Sequence, residues 1–261
     1  MSTHSANQER ASSGHRQTRT LFGFECHAAT SNQAAADAVE AIETGSLQRI
    51  TFLNAAKVTD TSVDYRALLN SSERLYADGQ SILVASRILR QPLPERVAGV
   101  DLFQALISLA DERHWRVAFL GSTDEVLAET RRIMAARFPG AEVVGSWNGY
   151  FDRSLDDEVV AEIAQTRPQL LFVAMPSPLK EQWVTARGSQ TGAEVVMAIG
   201  GSLEVFTGQV KRAPRWFQQA GLEWAWRVGQ EPRRLWRRYL SSNLKFIGML
   251  LREAISGWRA P

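Results

Sequence analysis

The chain reads as an α/β protein: a mostly parallel sheet with helices on both faces, followed by a C-terminal helical appendage. Three observations carry that reading. Continuous apolar runs, rather than alternating ones, recur from residue 49 to residue 199. Helix-like segments lie between them, the pattern of strands buried on both faces. The charge also divides. Lys211 to Pro261 holds 11 Lys and Arg against 3 Asp and Glu, which leaves 19 against 25 upstream. The net charge of +2 therefore hides an acidic body and a basic tail.

Residues 1–20 (MSTHSANQERASSGHRQTRT) are polar and lack an apolar centre, so they read as a disordered leader and not as a signal peptide. The α/β body is expected over 21–210 and the basic, aromatic appendage over 211–261. Within the body, strands are expected at 49–53 (RITFL), 116–120 (RVAFL), 169–174 (QLLFVA) and 194–199 (EVVMAI), with weaker ones near 22–25, 74–77 and 141–144. Helices are expected over 31–43, 57–70, 80–90, 101–113, 123–137, 154–166 and 178–190. In such sheets ligands sit at the carboxyl ends of the strands. That places Asn54, Ala77-Asp78-Gly79, Gly121-Ser122, Met175–Pro178 and Gly200-Gly201 on one rim.

The tail predicts an amphipathic helix. Trp236, Tyr239, Leu240, Leu244, Ile247, Leu251 and Ile255 recur at helical spacing, and Pro232 suits the first turn. Arg233, Arg234, Arg237 and Arg238 crowd the helix start, where the macrodipole is positive and each exposed cation costs about 0.3–1 kcal/mol. Either anions lie nearby, or this is a solvated face helped by Glu231. Five of the eight tryptophans share this segment. Basic plus aromatic composition suits an anionic membrane surface, with Trp236, Tyr239 and Phe246 available for the interface. No recognised nucleic-acid module accompanies it, so nucleic acid is not an expected partner.

Several chemistries lack their motifs. There is no GxGxxG, no Walker A loop, no HExxH and no Asp-x-Asp, and His4, His15, His27 and His114 are scattered. Neither a cofactor nor a metal is expected. Cys26 stands alone and cannot form an internal disulfide, which fits a reducing compartment. No run of 18 apolar residues is present. Asp78, between a strand-like run and a helix, reads as a general base or as a turn or N-cap residue. Asp101 reads as a helix N-cap, with a site role as the alternative. Asn54 either binds substrate or closes a turn, and Gly200-Gly201 lets a backbone approach a ligand or makes a tight turn.

An ordered set of motifs is more specific than any one of them. It runs through Asn54, Ala77-Asp78-Gly79, Arg96-Val97-Ala98-Gly99-Val100-Asp101, Phe119-Leu120-Gly121 and Gly149-Tyr150-Phe151. It continues with Ser177-Pro178-Leu179-Lys180-Glu181-Gln182-Trp183, Gly200-Gly201, Arg212-Ala213-Pro214, Gly221-Leu222-Glu223-Trp224, Arg227, Glu231-Pro232 and Arg237-Arg238-Tyr239. Over residues 45–240 the chain resembles the WecG/TagA/CpsF glycosyltransferase family. The resemblance implies a Rossmann-like α/β body and a metal-independent, inverting transfer from a UDP-sugar to a lipid-linked diphosphate saccharide. Such transfer serves teichoic acid, common antigen or exopolysaccharide synthesis on the cytoplasmic face of the plasma membrane, by a peripherally bound protein. It implies Asp78 as catalytic base and Asn54 in the same pocket. Gly79, Asp101, Gly121, Lys180, Glu181, Gly200, Gly201, Glu204 and Arg212 are the matching candidates for substrate binding. Arg227, Arg234 and Arg237 or Arg238 match appendage arginines that meet the diphosphate.

Two positions depart from the family pattern. Lys180 stands where Gln is usual and Glu204 where Asp is usual. Lys180 adds positive charge near the sugar and would suit a glucuronate-type donor as well as a hexosyl or N-acetylhexosaminyl one. A homo-oligomer is left open. The competing readings are another nucleotide-dependent α/β enzyme, such as an oxidoreductase, and a non-enzymatic membrane-recruited scaffold.

Overall fold

A computed structural model describes residues 17–59, 62–214, 216–217, 222–230 and 232–258. The side chains of residues 224, 227, 232–240 and 257–258 lie outside the described set. So does most of the expected leader, residues 1–16.

The described chain opens with a hairpin of β1 (Thr18–Leu21) and β2 (Phe24–His27). The weak strand expected at 22–25 is therefore half turn. Phe22 and Gly23 both take positive φ, 55° and 78°, which is the two-residue geometry that follows the twist of paired strands.

The main sheet comprises β3 (Gln48–Leu53), β4 (Arg74–Ala77), β5 (Arg116–Gly121), β6 (Glu142–Trp147), β7 (Leu170–Ala174) and β8 (Val195–Ala198). All five pairings are parallel, in the order β4-β3-β8-β7-β5-β6. The body helices are α1 (Ser31–Thr44), α2 (Ala55–Thr59), α3 (Val63–Asn70), α4 (Gln80–Ile88), α5 (Gly99–Arg113), α6 (Asp124–Arg137), α7 (Asp156–Thr166), α8 (Leu179–Arg187) and α9 (Ser202–Phe206). The fold class is thus the one the apolar runs predict.

The helix expected over 57–70 is two helices, and two caps explain the split. Asn54 Oδ1 accepts from the Lys57 N–H at 3.1 Å and opens α2, whereas Ser62 Oγ accepts from the Tyr65 N–H at 3.2 Å and opens α3. Asp101 also differs from expectation. Helix α5 begins at Gly99 with Ala98 as its N-cap, so Asp101 lies in the first turn and is not the cap.

Period-two strand geometry sends alternate residues of the central strands to opposite layers. Phe172 of β7 meets Phe103 of α5 edge-on at 4.8 Å and stacks on Phe119 of β5 at 5.8 Å. Leu171 and Val173 instead join Val160, Ile163, Trp183 and Val184 of α7 and α8. Each such buried side chain contributes about 1.5–3 kcal/mol.

Two further helices follow, α10 (Glu223–Gln230) and α11 (Pro232–Trp258). Pro232 opens α11, as its fixed φ favours. Helix α11 packs across α2, beside Asn54. Phe246, Met249 and Leu250 join the cluster of Phe22, Phe24, Leu53 and Leu75, and the Phe246 ring lies 5.5 Å from that of Phe22. Phe246 is only 5% exposed, so the expectation that it faces an interface is corrected. The other side of α11 is open: Leu244, Ile247, Leu251 and Ile255 are 62, 52, 59 and 53% exposed. Among the described residues, no helix is long and apolar enough to cross a membrane.

Candidate active site

Parallel strands bring their carboxyl ends to one edge, and the candidate residues gather there. Leu53 of β3 lies beside Ala77 of β4, so Asn54 and Asp78 leave adjacent strands together. The Asp78 N–H donates to the Leu53 carbonyl at 2.8 Å, which extends the ladder by one residue. Gly79, and not Asp78, is the N-cap of α4, and no side chain caps that helix. The N-cap reading of Asp78 is thereby removed. The half-buried carboxylate of Asp78 lies within electrostatic reach of Lys180 and Arg212. Gly79 keeps the space beside Asn54 open, since a Cβ there would stand 3.8 Å from the Asn54 Cβ.

Beneath this edge lies a pair of lysines sharing one carboxylate. Glu181 is fully buried and pairs with Lys57 at 2.7 Å and Lys180 at 3.0 Å. The Lys57 ammonium also donates to the Phe52 carbonyl at 2.5 Å. Ser177 Oγ donates to Glu181 at 2.9 Å and accepts from the Lys180 ammonium. The Ser177-Pro178 bond that starts this turn is cis. Burial pushes the Glu181 carboxyl up, but Lys57 and Lys180 more than offset it and hold it near 2. Burial and the Lys57 charge lower the Lys180 ammonium to about 8, against the pull of Glu181 and Asp78.

This cluster has a measurable consequence. Glu181→Gln leaves two buried ammonium groups without their carboxylate and is expected to destabilise the fold by about 3–5 kcal/mol. The Glu181 carboxyl titrates near 2 in the fold against 4.5 ordinarily. Its contribution is therefore complete above that ordinary value and is lost as pH falls toward 2. Urea midpoints across that window check both points: the wild type weakens with acid, and the variant is weaker throughout with a shallower acid dependence.

The strands β5 and β7 meet at a second feature. A Cβ on Gly121, whose φ is 122°, would fall 2.4 Å from the Ala174 backbone, so only glycine fits. Gly149 presses on Gly121 in turn, at 2.7 Å from an added Cβ to the Gly121 Cα. Ser122 then donates through Oγ to Glu204 at 2.7 Å. The second Glu204 oxygen is buried and has no hydrogen-bond partner among the described residues. It faces Gly201, whose Cβ position is 3.6 Å away. Gly200, at φ 54°, places its Cβ position 3.3 Å from the Lys180 nitrogen. Lys180, Gly200, Gly201, Glu204 and Gly121 thus lie along one edge with Asp78, above the buried Glu181.

Arg212 and Asp101 lie together on the tail side. Arg212 grips Asp101 with two bonds, 2.5 and 2.7 Å, and approaches Glu223 of α10 at 3.9 Å. Its hydrogen bond to Asp101 raises the guanidinium against burial, and Glu223 and Asp78 add to the rise. Arg96 pairs with Glu223 and lies 3.9 Å from Asp101. Both Asp101 oxygens are therefore engaged by an arginine. Trp226 and Gln230 hold the Lys211 carbonyl, each at 3.1 Å, and fasten α10 to the start of the tail. Arg227 lies on α10, and Arg234, Arg237 and Arg238 on the first turns of α11; their side chains fall outside the described set.

Sequence reasoning missed Lys57, and it quoted Arg96 and Glu223 within the motifs without naming them as site candidates. Lys57 had a signal: one lysine in the otherwise apolar and small run ITFLNAAKV, which implies a buried cation with a carboxylate partner. Arg96 and Glu223 are 127 residues apart, and their pairing carries no local signal.

Comparison with known proteins matches a glycosyl transferase WecG/TagA/CpsF family model over residues 19–260. An N-acetylglucosaminyldiphosphoundecaprenol N-acetyl-beta-D-mannosaminyltransferase of Bacillus spizizenii is 38% identical over 177 residues, covering 68% of this chain and 68% of that protein. The protein of the same name in Staphylococcus aureus is 35% identical over 173 residues, covering 66% and 67%.

Proposed function

Since this chain belongs to the WecG/TagA/CpsF glycosyltransferase family, we propose that it transfers a sugar from a UDP-sugar to a polyprenyl-diphosphate-linked saccharide in cell-surface polysaccharide synthesis. One observation carries the reading. Asp78, Lys180, Gly200 and Glu204 converge on the carboxyl edge of a parallel sheet, where α/β proteins bind nucleotides. The relatives' names supply the acceptor class, a saccharide on diphosphoundecaprenol, and one transferred group, N-acetylmannosamine.

In this reading Asp78 takes the proton of the acceptor hydroxyl as its oxygen attacks the anomeric carbon. The carbon–oxygen bond to the diphosphate breaks on the opposite face, and the configuration inverts. Ser122 and the unpartnered oxygen of Glu204 supply acceptors for N–H or O–H groups of the nucleoside. Asn54 shares its amide between capping α2 and the pocket beside Gly79. The body runs to about residue 210 and the appendage from 211, held by Arg96–Glu223 and Arg212–Asp101. Arg227, Arg234, Arg237 and Arg238 would meet the acceptor diphosphate.

The appendage docks the enzyme on an anionic membrane at the cytoplasmic face. The supporting observation is the open stripe of Leu244, Ile247, Leu251 and Ile255, with exposed Lys245 and Arg252 on the same helix. An amphipathic helix of this kind lies in the interface plane.

Metal independence is part of the proposal. Among the described residues, no three of His, Cys, Asp or Glu gather so as to hold a metal ion. Transfer is expected to proceed at full rate in EDTA. Loss on chelation, restored by Mg²⁺ or Mn²⁺, would contradict this.

A further inference from the structure

We propose that Lys180 is the cation that takes up the charge of the departing diphosphate, with Lys57 and Glu181 as the residues that position it. The proposal deepens the UDP-sugar reading above and rests on it.

The first argument is charge balance. Lys57, Lys180 and Glu181 carry a net charge of +1, and their side chains are only 8, 12 and 0% exposed. A withdrawn net charge is costly unless an anion answers it. In the resting site the Asp78 carboxylate adds its attraction to that of Glu181 at Lys180. Transfer removes the Asp78 charge. As the acceptor oxygen bonds to the anomeric carbon, its proton passes to the Asp78 carboxylate, which becomes neutral. In the same step the anomeric carbon–oxygen bond breaks and its electron pair stays on the diphosphate oxygen. Negative charge disappears at Asp78 while it grows on the leaving group. An ammonium anchored at this edge keeps a partner throughout and favours the transition state.

The second argument is placement. Lys57 is tied to the Phe52 carbonyl inside the sheet and is 7% exposed, so it braces Glu181 rather than facing a ligand. Arg212 is gripped on two sides by Asp101. Lys180 differs from both. Its ammonium is anchored by Ser177 and Glu181, yet it stands 3.3 Å from the Cβ position of Gly200, at the rim. Glycine at that position keeps the approach to the ammonium free of a side chain. The second Glu181 oxygen has no hydrogen-bond partner among the described residues, so Lys57, Lys180 and Ser177 all hold the carboxylate by its other oxygen.

The groups facing Lys180 are Lys57 from α2, Glu181 on its own helix, Ser177 in the preceding turn and Asp78 from the β4–α4 loop. Burial and Lys57 bring its ammonium to about 8. A phosphate ligand favours the protonated form, so affinity for a diphosphate falls as pH rises through that value.

Calorimetry with UDP and UMP tests the assignment, because only UDP carries the β-phosphate. Lys180→Gln is expected to weaken UDP roughly ten- to a hundredfold and to leave UMP unchanged, which also shows that the site is folded. In the wild type, the ratio of UDP to UMP affinity should drop above pH 8 and be flat in the variant. That wild-type ratio reads the same claim without any substitution. A ratio independent of pH, or UDP affinity untouched by Lys180→Gln, overturns the proposal. Binding of neither nucleotide by the wild type would instead remove the UDP-sugar reading on which it rests.

Discussion

Asp78→Asn is expected to lower sugar transfer by roughly 10²–10⁴-fold while nucleotide affinity persists. The substitution keeps the shape of the side chain and removes its basicity. The Asp78 backbone N–H, bonded to Leu53, is unaffected, and Gly79 rather than Asp78 caps α4. A structural role would therefore show as a small change in stability, and a base as a large change in turnover. Near-normal turnover in Asp78→Asn would reject it as the base. Removing a negative charge beside Lys180 should leave binding of a diphosphate intact or tighter, which separates the two roles in one variant.

Substituting Leu244, Ile247, Leu251 and Ile255 together by Ser is expected to abolish membrane docking without unfolding the chain. These side chains are more than half exposed, and surface changes of this kind shift stability by about 0.5 kcal/mol or less each. Each contributes about 1 kcal/mol on entering the interface, a fraction of the transfer energy of a fully buried side chain. Four together make roughly a thousandfold in partitioning. Lys245 and Arg252 add about 1 kcal/mol each on an anionic surface, and salt screens that part. The apolar stripe thus outweighs the described cations, and high salt should weaken docking less than the quadruple substitution does. Flotation with anionic vesicles reads this directly. Transfer to a lipid acceptor should fall with docking, and transfer to a short soluble acceptor should persist. Unchanged flotation would mean that the helix is not the anchor. Deleting the tail is a poorer test. Phe246, Met249 and Leu250 cover Phe22 and Phe24, and their removal exposes that cluster.

Much of this was legible before the coordinates. Continuous apolar runs such as QLLFVA predict buried parallel strands because no residue in them can face water, and β7 is fully buried. The rim residues followed from topology alone, since every parallel strand ends at the same edge. Caps were less legible. Asn54 and Ser62 divide one expected helix because a single hydrogen bond decides each start. Phe246 was read as interfacial because an amphipathic helix with two apolar faces has no unique inside. The hairpin at Thr18–His27 and helix α2, both far off in sequence, select Phe246 as the buried side. Pairings such as Arg96–Glu223 and Lys57–Glu181 belong to the fold and have no local pattern.

The central claim is a single displacement in which Asp78 activates the acceptor and the diphosphate leaves from the opposite face. The configuration of the new glycosidic bond tests it most directly. Wild-type enzyme, an α-linked UDP-N-acetylhexosamine and a short-chain diphosphate-linked acceptor should yield a product whose anomeric centre is β by NMR. An α-linked product, or a sugar found covalently attached to the enzyme, would contradict the account.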